Sequence, residues 1–312
     1  MKKIVSVFLC LISLTISVFC FGGCADIDNQ KLSVWTSFYP IYDFAKKICG
    51  DKANVYNLVP AGAEPHDYEI SAGEMAKMYD SDVIFVNGLG LEVWLDYSRD
   101  DYGVPQELFD KIRVTSDVEG LDLIYADSST VDPHIWLNVN YAKKQMEYIK
   151  NIMCELDSAN SSYYTKNYLK YELMFDGLDI SIKKNFLNLN SDTIVVAHEA
   201  YSYFCKAYNL KQVAVNGLNA DNEPSSQQIS NIIEQICGLV RTYNMTTIFY
   251  EELLPDNVMK TIKAEVQKET GVEVKLENLC TLEGLTNEDL KNNQDYFSKM
   301  AENAVNIRNA LS

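Results

Sequence analysis

The sequence predicts an α/β protein of two lobes, each with a mainly parallel sheet flanked by helices, joined by one long rigid helix. Three observations predict it. From Lys31, short β-rich runs alternate with helical stretches, the grammar of βαβ units and a parallel sheet. From Asn140 to about Asn190 no strand signal occurs, and a helical period runs from Tyr164 to Ile182. At Thr193 the alternation resumes and continues to the end of the chain.

In the first alternating region, Leu32–Phe38 is apolar and β-branched enough for a first strand, and Asn54–Val59 for a second, stopped by Pro60-Ala61-Gly62. Asp82–Val86 is the third, followed by Asn87-Gly88, and Ile112–Thr115 is a weaker fourth. Helices fit at Tyr42–Ile48 and Ser71–Tyr79. In the middle region Tyr164, Tyr168, Tyr171, Phe175, Leu178 and Ile182 recur at steps of four and three, one face of a long helix that Ser161 or Ser162 could cap. Its place between two α/β regions marks it as a connector. In the second region, strands are expected at Thr193–Ala197, Gln212–Val215, Thr246–Tyr250 and Val272–Leu276. Helices are expected at about Ser225–Tyr243, Asp256–Thr270 and Asp289–Leu311. The divisions are 1–23, 24–30 (a tether), 31–158 and 191–312 (the lobes), and 159–190 (the linker helix).

Residues 1–23 have the form of a secretory signal: Lys2-Lys3, an apolar run from Ile4 to Phe21, then Gly22-Gly23-Cys24 and a polar stretch. The apolar run is also near the length of a membrane span, so an uncleaved anchor is the alternative. The small pair directly before Cys24 favours a bacterial lipoprotein signal, with cleavage leaving a lipidated Cys24. Beyond it remain Cys49, Cys154, Cys205, Cys237 and Cys280, widely spaced and without a C-x-x-C pair. Buried thiols are the ordinary reading of such a set, and no disulfide partner is identifiable.

The net charge of −17 argues against nucleic acid, whose phosphates require a basic surface, and against attachment to anionic lipid through charge. Such a surface keeps an exported protein soluble and weakly attracts cations.

Only three histidines occur, each in a compact motif: Glu64-Pro65-His66-Asp67-Tyr68-Glu69, Asp132-Pro133-His134-Ile135-Trp136, and Ala197-His198-Glu199. A lone loop histidine is ordinarily just exposed, but two of these share an acid-Pro-His pattern. Imidazole is a common transition-metal ligand, and a nearby carboxylate can orient its second nitrogen. His66 follows the second strand, His198 ends its strand directly, and Glu277 follows the last one. Ligands in open α/β sheets bind beyond the carboxyl ends of strands. His66, His134, His198 and Glu277 can therefore converge as a four-ligand cage. His198-Glu199 could instead be a catalytic pair.

These residues carry a resemblance. The stretch Pro60–Glu69 continued by Val86–Leu95, Asp132–Leu137, Ala197–Phe204, Gly217–Ser225 and Ile248–Glu251 resemble, in order, segments of the zinc/manganese ABC-transporter substrate-binding lipoproteins. The resemblance runs from the signal to the last helix. It implies two α/β lobes about a rigid helix with a metal between them, and it carries over His66, His134 and His198 as ligands. Histidine at the third position goes with zinc in that family, glutamate with manganese, so Zn²⁺ is the expected cargo and Mn²⁺ the alternative. Three nitrogens and one oxygen also suit Zn²⁺. Two departures stand out. The fourth ligand is usually aspartate, where this chain has Glu277, with another carboxylate or water as the alternatives, and the stretch 120–131 lacks the histidine-rich loop of many zinc-binding members. Glu69, Glu199 and Glu251 are the carboxylates expected to support the ligands.

The resemblance implies a monomeric, lipid-anchored receptor outside the cytoplasm, working with an ABC permease and its ATPase, and not an enzyme. Competing readings are a zinc hydrolase using Glu64 or Glu199 as base, for which no H-E-x-x-H is present, and an adhesin in which metal is only structural.

Overall fold

The computed structural model describes residues 31–97, 106–219 and 224–312. The signal segment, Cys24, the tether and residues 220–223 lie outside the described residues.

The first sheet is built from β1 (Leu32–Thr36), β2 (Ala53–Asn57), β3 (Val83–Val86) and β4 (Ile112–Val114), all parallel in the order β2-β1-β3-β4. Central β3 is buried at all four positions, whereas edge strand β2 alternates buried and exposed. Between the strands lie α1 (Tyr39–Cys49), α2 (Ala72–Tyr79), α3 (Val93–Tyr97) and α4 (Gln106–Phe109). Pro40 in the first turn of α1 loses no hydrogen bond there, and Ser71 and Glu74 form a capping box on α2. A 3₁₀ turn, Ile135–Leu137, leads into α5 (Val139–Leu156), which Asn138 caps by accepting from the Asn140 and Tyr141 amides. The long helix is α6 (Ser161–Asn185).

The second half contains two parallel pairs. β5 (Thr193–Val196) pairs with β6 (Lys211–Ala214), and β7 (Thr247–Tyr250) pairs with β8 (Lys275–Asn278), β5 and β7 lying side by side. Helices α7 (Ser202–Tyr208), α8 (Ser226–Tyr243), α9 (Asn257–Thr270), α10 (Asn287–Lys291) and α11 (Tyr296–Leu311) complete the chain. Among the described residues no helix is long and apolar enough to cross a membrane, and Cys49, Cys154, Cys205, Cys237 and Cys280 are free thiols.

Three sequence expectations need correction. Ser161 is the first residue of α6, and Asn160 stands at its cap with its side chain donating to Asp157 and not capping the helix amides. The segment expected as one helix from Asp289 splits into α10 and α11, because Asn293 takes φ +55 and Asp295 starts a new capping box with Ser298. The last strand runs to Asn278, not Leu276, held by the Leu279 amide donating to the Tyr250 carbonyl at 3.0 Å.

The long helix is also more than a connector. Tyr164, Tyr168, Phe175, Leu178 and Ile182 are buried against α1, α5 and α11. One core joins Val34, Phe44, Met146, Phe175, Ile194, Val196, Tyr296 and Ile307 across both halves. At its centre Phe175 packs on Phe44, Tyr296 and Phe297 with ring centroids 4.7–5.8 Å apart. Phe175→Ala is expected to cost about 3–5 kcal/mol, read by denaturant unfolding. A loss below about 1 kcal/mol would contradict a core shared between the halves.

Candidate metal centre

His66 sits on the loop after β2. Gly62 in that loop takes φ +83, and its amide donates to the Leu285 carbonyl at 3.0 Å. The His66 amide donates to Glu64 Oε2 at 2.9 Å. His134 sits just before the 3₁₀ turn. Its loop is fixed from the first sheet, where Asn87 Nδ2 donates to the Pro133 carbonyl at 2.9 Å. Asn87 is itself held, because Glu92 accepts the Asn87 and Gly88 amides and Gln145 Nε2 donates to Asn87 Oδ1. His198 follows β5 directly.

The three imidazoles meet at a carboxylate that is not Glu277. Glu277 lies within β8, exposed, opposite Phe249 in the register. Because the strand runs past it, its side chain takes a place on the sheet face and does not reach the carboxyl edge. The carboxylate at the edge is Glu283, six residues later. His66 Nε2 and His134 Nε2 each lie 3.1 Å from Glu283 Oε1, and His198 Nε2 lies 3.4 Å away. His134 Nε2 is 3.2 Å from His66 Nε2 and 3.4 Å from His198 Nε2. These four donor atoms lie within 4.8 Å of one another, and all four residues are buried, so the group could hold a metal ion. Ligands about 2.0–2.1 Å from a tetrahedral Zn²⁺ stand about 3.3 Å apart, close to these separations.

The segment presenting Glu283 is tightly held. Thr281 Oγ1 donates to Glu283 Oε2 at 2.8 Å, and Trp136 Nε1 donates to the Thr281 carbonyl at 2.8 Å. Tyr296 OH in turn donates to the Trp136 carbonyl at 2.8 Å. Leu282, fully buried, takes φ +63, a left-handed conformation that costs a leucine about 1–2 kcal/mol. A Cβ on Gly284 would stand 3.1 Å from the Ala63 carbonyl, so the His66 loop and the Glu283 loop pack backbone to backbone.

Two imidazoles have a carboxylate on the far nitrogen. His134 Nδ1 is 2.7 Å from Asp132 Oδ1, and His198 Nδ1 is 2.8 Å from Glu251 Oε2. Both contacts place the proton on Nδ1 and aim the Nε2 lone pair inward. Glu251 directly follows β7. Asp132 was visible in the acid-Pro-His motif but was not singled out. Glu69 is exposed, with no contact to the imidazoles among the described residues. Glu199 is half-buried, and burial with the nearby Asp132 charge pushes its carboxyl up.

Burial pushes the His66 imidazole down. Burial acts the same way on His134, but hydrogen bonds to Asp132 and Glu283 outweigh it and the group is raised. His198 is raised well above its ordinary value, the Glu251 and Glu283 charges outweighing burial. For Glu283, burial would raise the carboxyl, yet the imidazoles hold it well below the carboxylate range. Protons and a cation therefore compete for the same lone pairs. Metal binding is expected to release about one or more protons near neutral pH and to weaken as the solution is acidified. The check is calorimetry in buffers of differing ionisation enthalpy; a binding enthalpy independent of buffer would contradict it.

Over residues 34–310 the sequence matches the family described as "Zinc-uptake complex component A periplasmic". It is 29% identical to the high-affinity zinc uptake system protein ZnuA of Bacillus subtilis (strain 168), covering 93% of this chain and 90% of that protein. It is 31% identical to the zinc-binding lipoprotein AdcA of Streptococcus pneumoniae serotype 4, covering 88% of this chain but 55% of that longer protein. It is 29% identical to the manganese ABC transporter substrate-binding lipoprotein PsaA of Streptococcus anginosus, covering 100% of both. Among solved structures, the Zn(II)-bound ZnuA-like domain of Streptococcus pneumoniae AdcA aligns with TM-score 0.72 at 30% identity, over 90% of this chain and 99% of that one. The laminin binding protein Lmb of Streptococcus agalactiae, described as bifunctional with adhesin and metal transporting activity, aligns with TM-score 0.76 at 28% identity, over 91% and 100%.

Proposed function

Because the chain belongs to the zinc-uptake complex component A family, we propose that it is the extracytoplasmic substrate-binding protein of a metal ABC transporter. Its cargo is Zn²⁺, held by His66, His134, His198 and Glu283 and passed to a membrane permease driven by an ATPase. The observation that carries this reading is the meeting of four donor atoms from four separate segments in one buried cluster. Three neutral nitrogens and one carboxylate oxygen suit Zn²⁺, while Mn²⁺ favours more oxygen. Four protein donors around one centre leave no side on which a catalytic water is needed, which fits capture and release without bond making or breaking.

The remaining parts follow from the sequence. Residues 1–23 are a signal peptide, Cys24 carries lipid, and residues 24–30 tether the body to the outer face of the cell membrane as a monomer. Residues 31–158 and 191–312 act as lobes about the helix 159–190. The likeness to Lmb supports a second reading, adhesion, which would appear as laminin binding that survives chelation of zinc.

Metal competition on chelator-stripped protein tests the receptor reading by calorimetry. One tightly bound equivalent of zinc that outcompetes manganese is expected. Glu283→Ala and His198→Ala should each weaken zinc binding by at least about 100-fold, while Glu277→Ala leaves it unchanged. Manganese preference would overturn the cargo assignment, and no tight binding of either metal would overturn the transport reading.

A further inference from the structure

The long helix carries large apolar side chains on its outer side, set among Lys166, Lys170, Asp176, Lys183 and Lys184. Among the described residues eleven large hydrophobic side chains are exposed, and six fall between Leu156 and Leu187. Four of these form one stripe: Leu169 (52% exposed), Leu173 (72%), Ile180 (66%) and, just past the helix end, Leu187 (66%). Their spacing of four, seven and seven keeps them on the face turned away from Tyr164, Phe175 and Ile182. Exposed apolar side chains gathered on one helix face, with lysines beside them, suit an interfacial contact.

The position of the stripe says what covers it. Chain entry into the folded body is at Leu32, which pairs with Ala53. The neighbouring Lys52 ammonium lies 5.5 Å from the Tyr163 ring centroid, and Asn167 Nδ2 donates to the Ile48 carbonyl at 2.9 Å. The first turns of α6 therefore flank the point of entry. The end of α6 leads to the start of β5, so the helix lies along the starting ends of strands in both halves. His66, His198 and Glu283 lie beyond the opposite, carboxyl ends. Residues 25–31 can span at most about 25 Å from Cys24.

We infer that the outer face of α6 rests on the lipid surface to which Cys24 tethers the chain, with the metal centre turned away from it. This rests on the lipid-anchor reading above. A second copy of the chain is the weaker occupant, because a stable dimer buries about 800 Å² per partner and four side chains on one helix offer on the order of a few hundred. A tethered surface needs no such area, since the tether itself supplies an effective concentration of order millimolar. Charge does not oppose the contact. Lys166, Lys170, Lys183 and Lys184 stand against Glu172, Asp176 and Asp179 on α6, in a chain of net charge −17. Docked in this way, the protein collects metal from the outside and must turn to deliver it.

The test uses the full-length lipidated protein in vesicles of phosphatidylcholine and phosphatidylglycerol carrying brominated acyl chains. Leu173→Trp is compared with Tyr125→Trp, a site paired with Val131 beside the His134 loop, after subtraction of the native tryptophan signal. Quenching at least about threefold stronger at position 173 is expected for a face lying at the headgroup and acyl boundary. Equal quenching at the two positions, with lipid on Cys24 verified by intact mass, would overturn this inference and leave the anchor reading standing. Absence of lipid on Cys24 would overturn both. A concentration-dependent dimer of vesicle-free protein that Leu173→Glu dissociates would give the stripe to a second copy. Unchanged zinc affinity in each variant verifies folding.

Discussion

A carboxylate that is fully buried must be paired, and the arrangement around Glu283 follows from that demand. Removing an ionised group from water costs several kcal/mol unless charge or hydrogen bonds replace the lost hydration. Glu283 has its Oε1 against three imidazole nitrogens and its Oε2 against the Thr281 hydroxyl. None of the three imidazoles comes from its own segment, since His66 is on the first sheet's loop, His134 precedes α5 and His198 follows β5. Each loop is thus fixed by the need of the others. Displacing one imidazole leaves Glu283 poorly paired, and displacing Glu283 leaves His134 and His198 crowded against each other. A divalent cation satisfies all four groups at once, which is why a site so closed can still be selective for one kind of occupant.

The same demand reaches into the core. Thr281 accepts from Trp136, and the Trp136 carbonyl accepts from Tyr296, whose ring packs on Phe44 and Phe175. Phe44 belongs to the first half, Phe175 to the long helix and Tyr296 to the last helix. A motion that parted the two halves widely would break these bonds and expose a continuous apolar core. Gly62 and Leu282, both with left-handed backbone, are the points where the His66 and Glu283 loops bend. The long helix is fixed within the shared core.

Much of this was legible in the sequence because local chemistry dictated it. The β-rich runs ended within a residue or two of the observed strands, and the acid-Pro-His motifs marked two of the three imidazoles that converge. Asp132 was legible too, since a carboxylate two residues before a histidine can reach its Nδ1, which it does at 2.7 Å. Glu283 was not. The segment is apolar at Val272, Val274 and Leu276 and then polar at Asn278, so its alternation does not show that the strand continues to Asn278, and a resemblance at Leu276–Leu279 pointed one loop too early. The choice among the carboxylates Glu273, Glu277 and Glu283 is made by where the strand stops and by the Trp136 bond to Thr281, 145 residues apart. Such a contact has no local signature.

The long helix packs on more elements than its sequence shows, for a related reason. Periodicity identifies a buried face but does not say how many elements cover it. Here α1, α5 and α11 all pack on that face, so the helix belongs to the core along most of its length. Its outer side then has to be read separately. A helix whose only task was to join two lobes through solvent would be polar on the remaining side, where Leu169, Leu173 and Ile180 stand instead. The folded body covers the inner face, and the chain enters that body beside Tyr163 and Asn167 of the same helix.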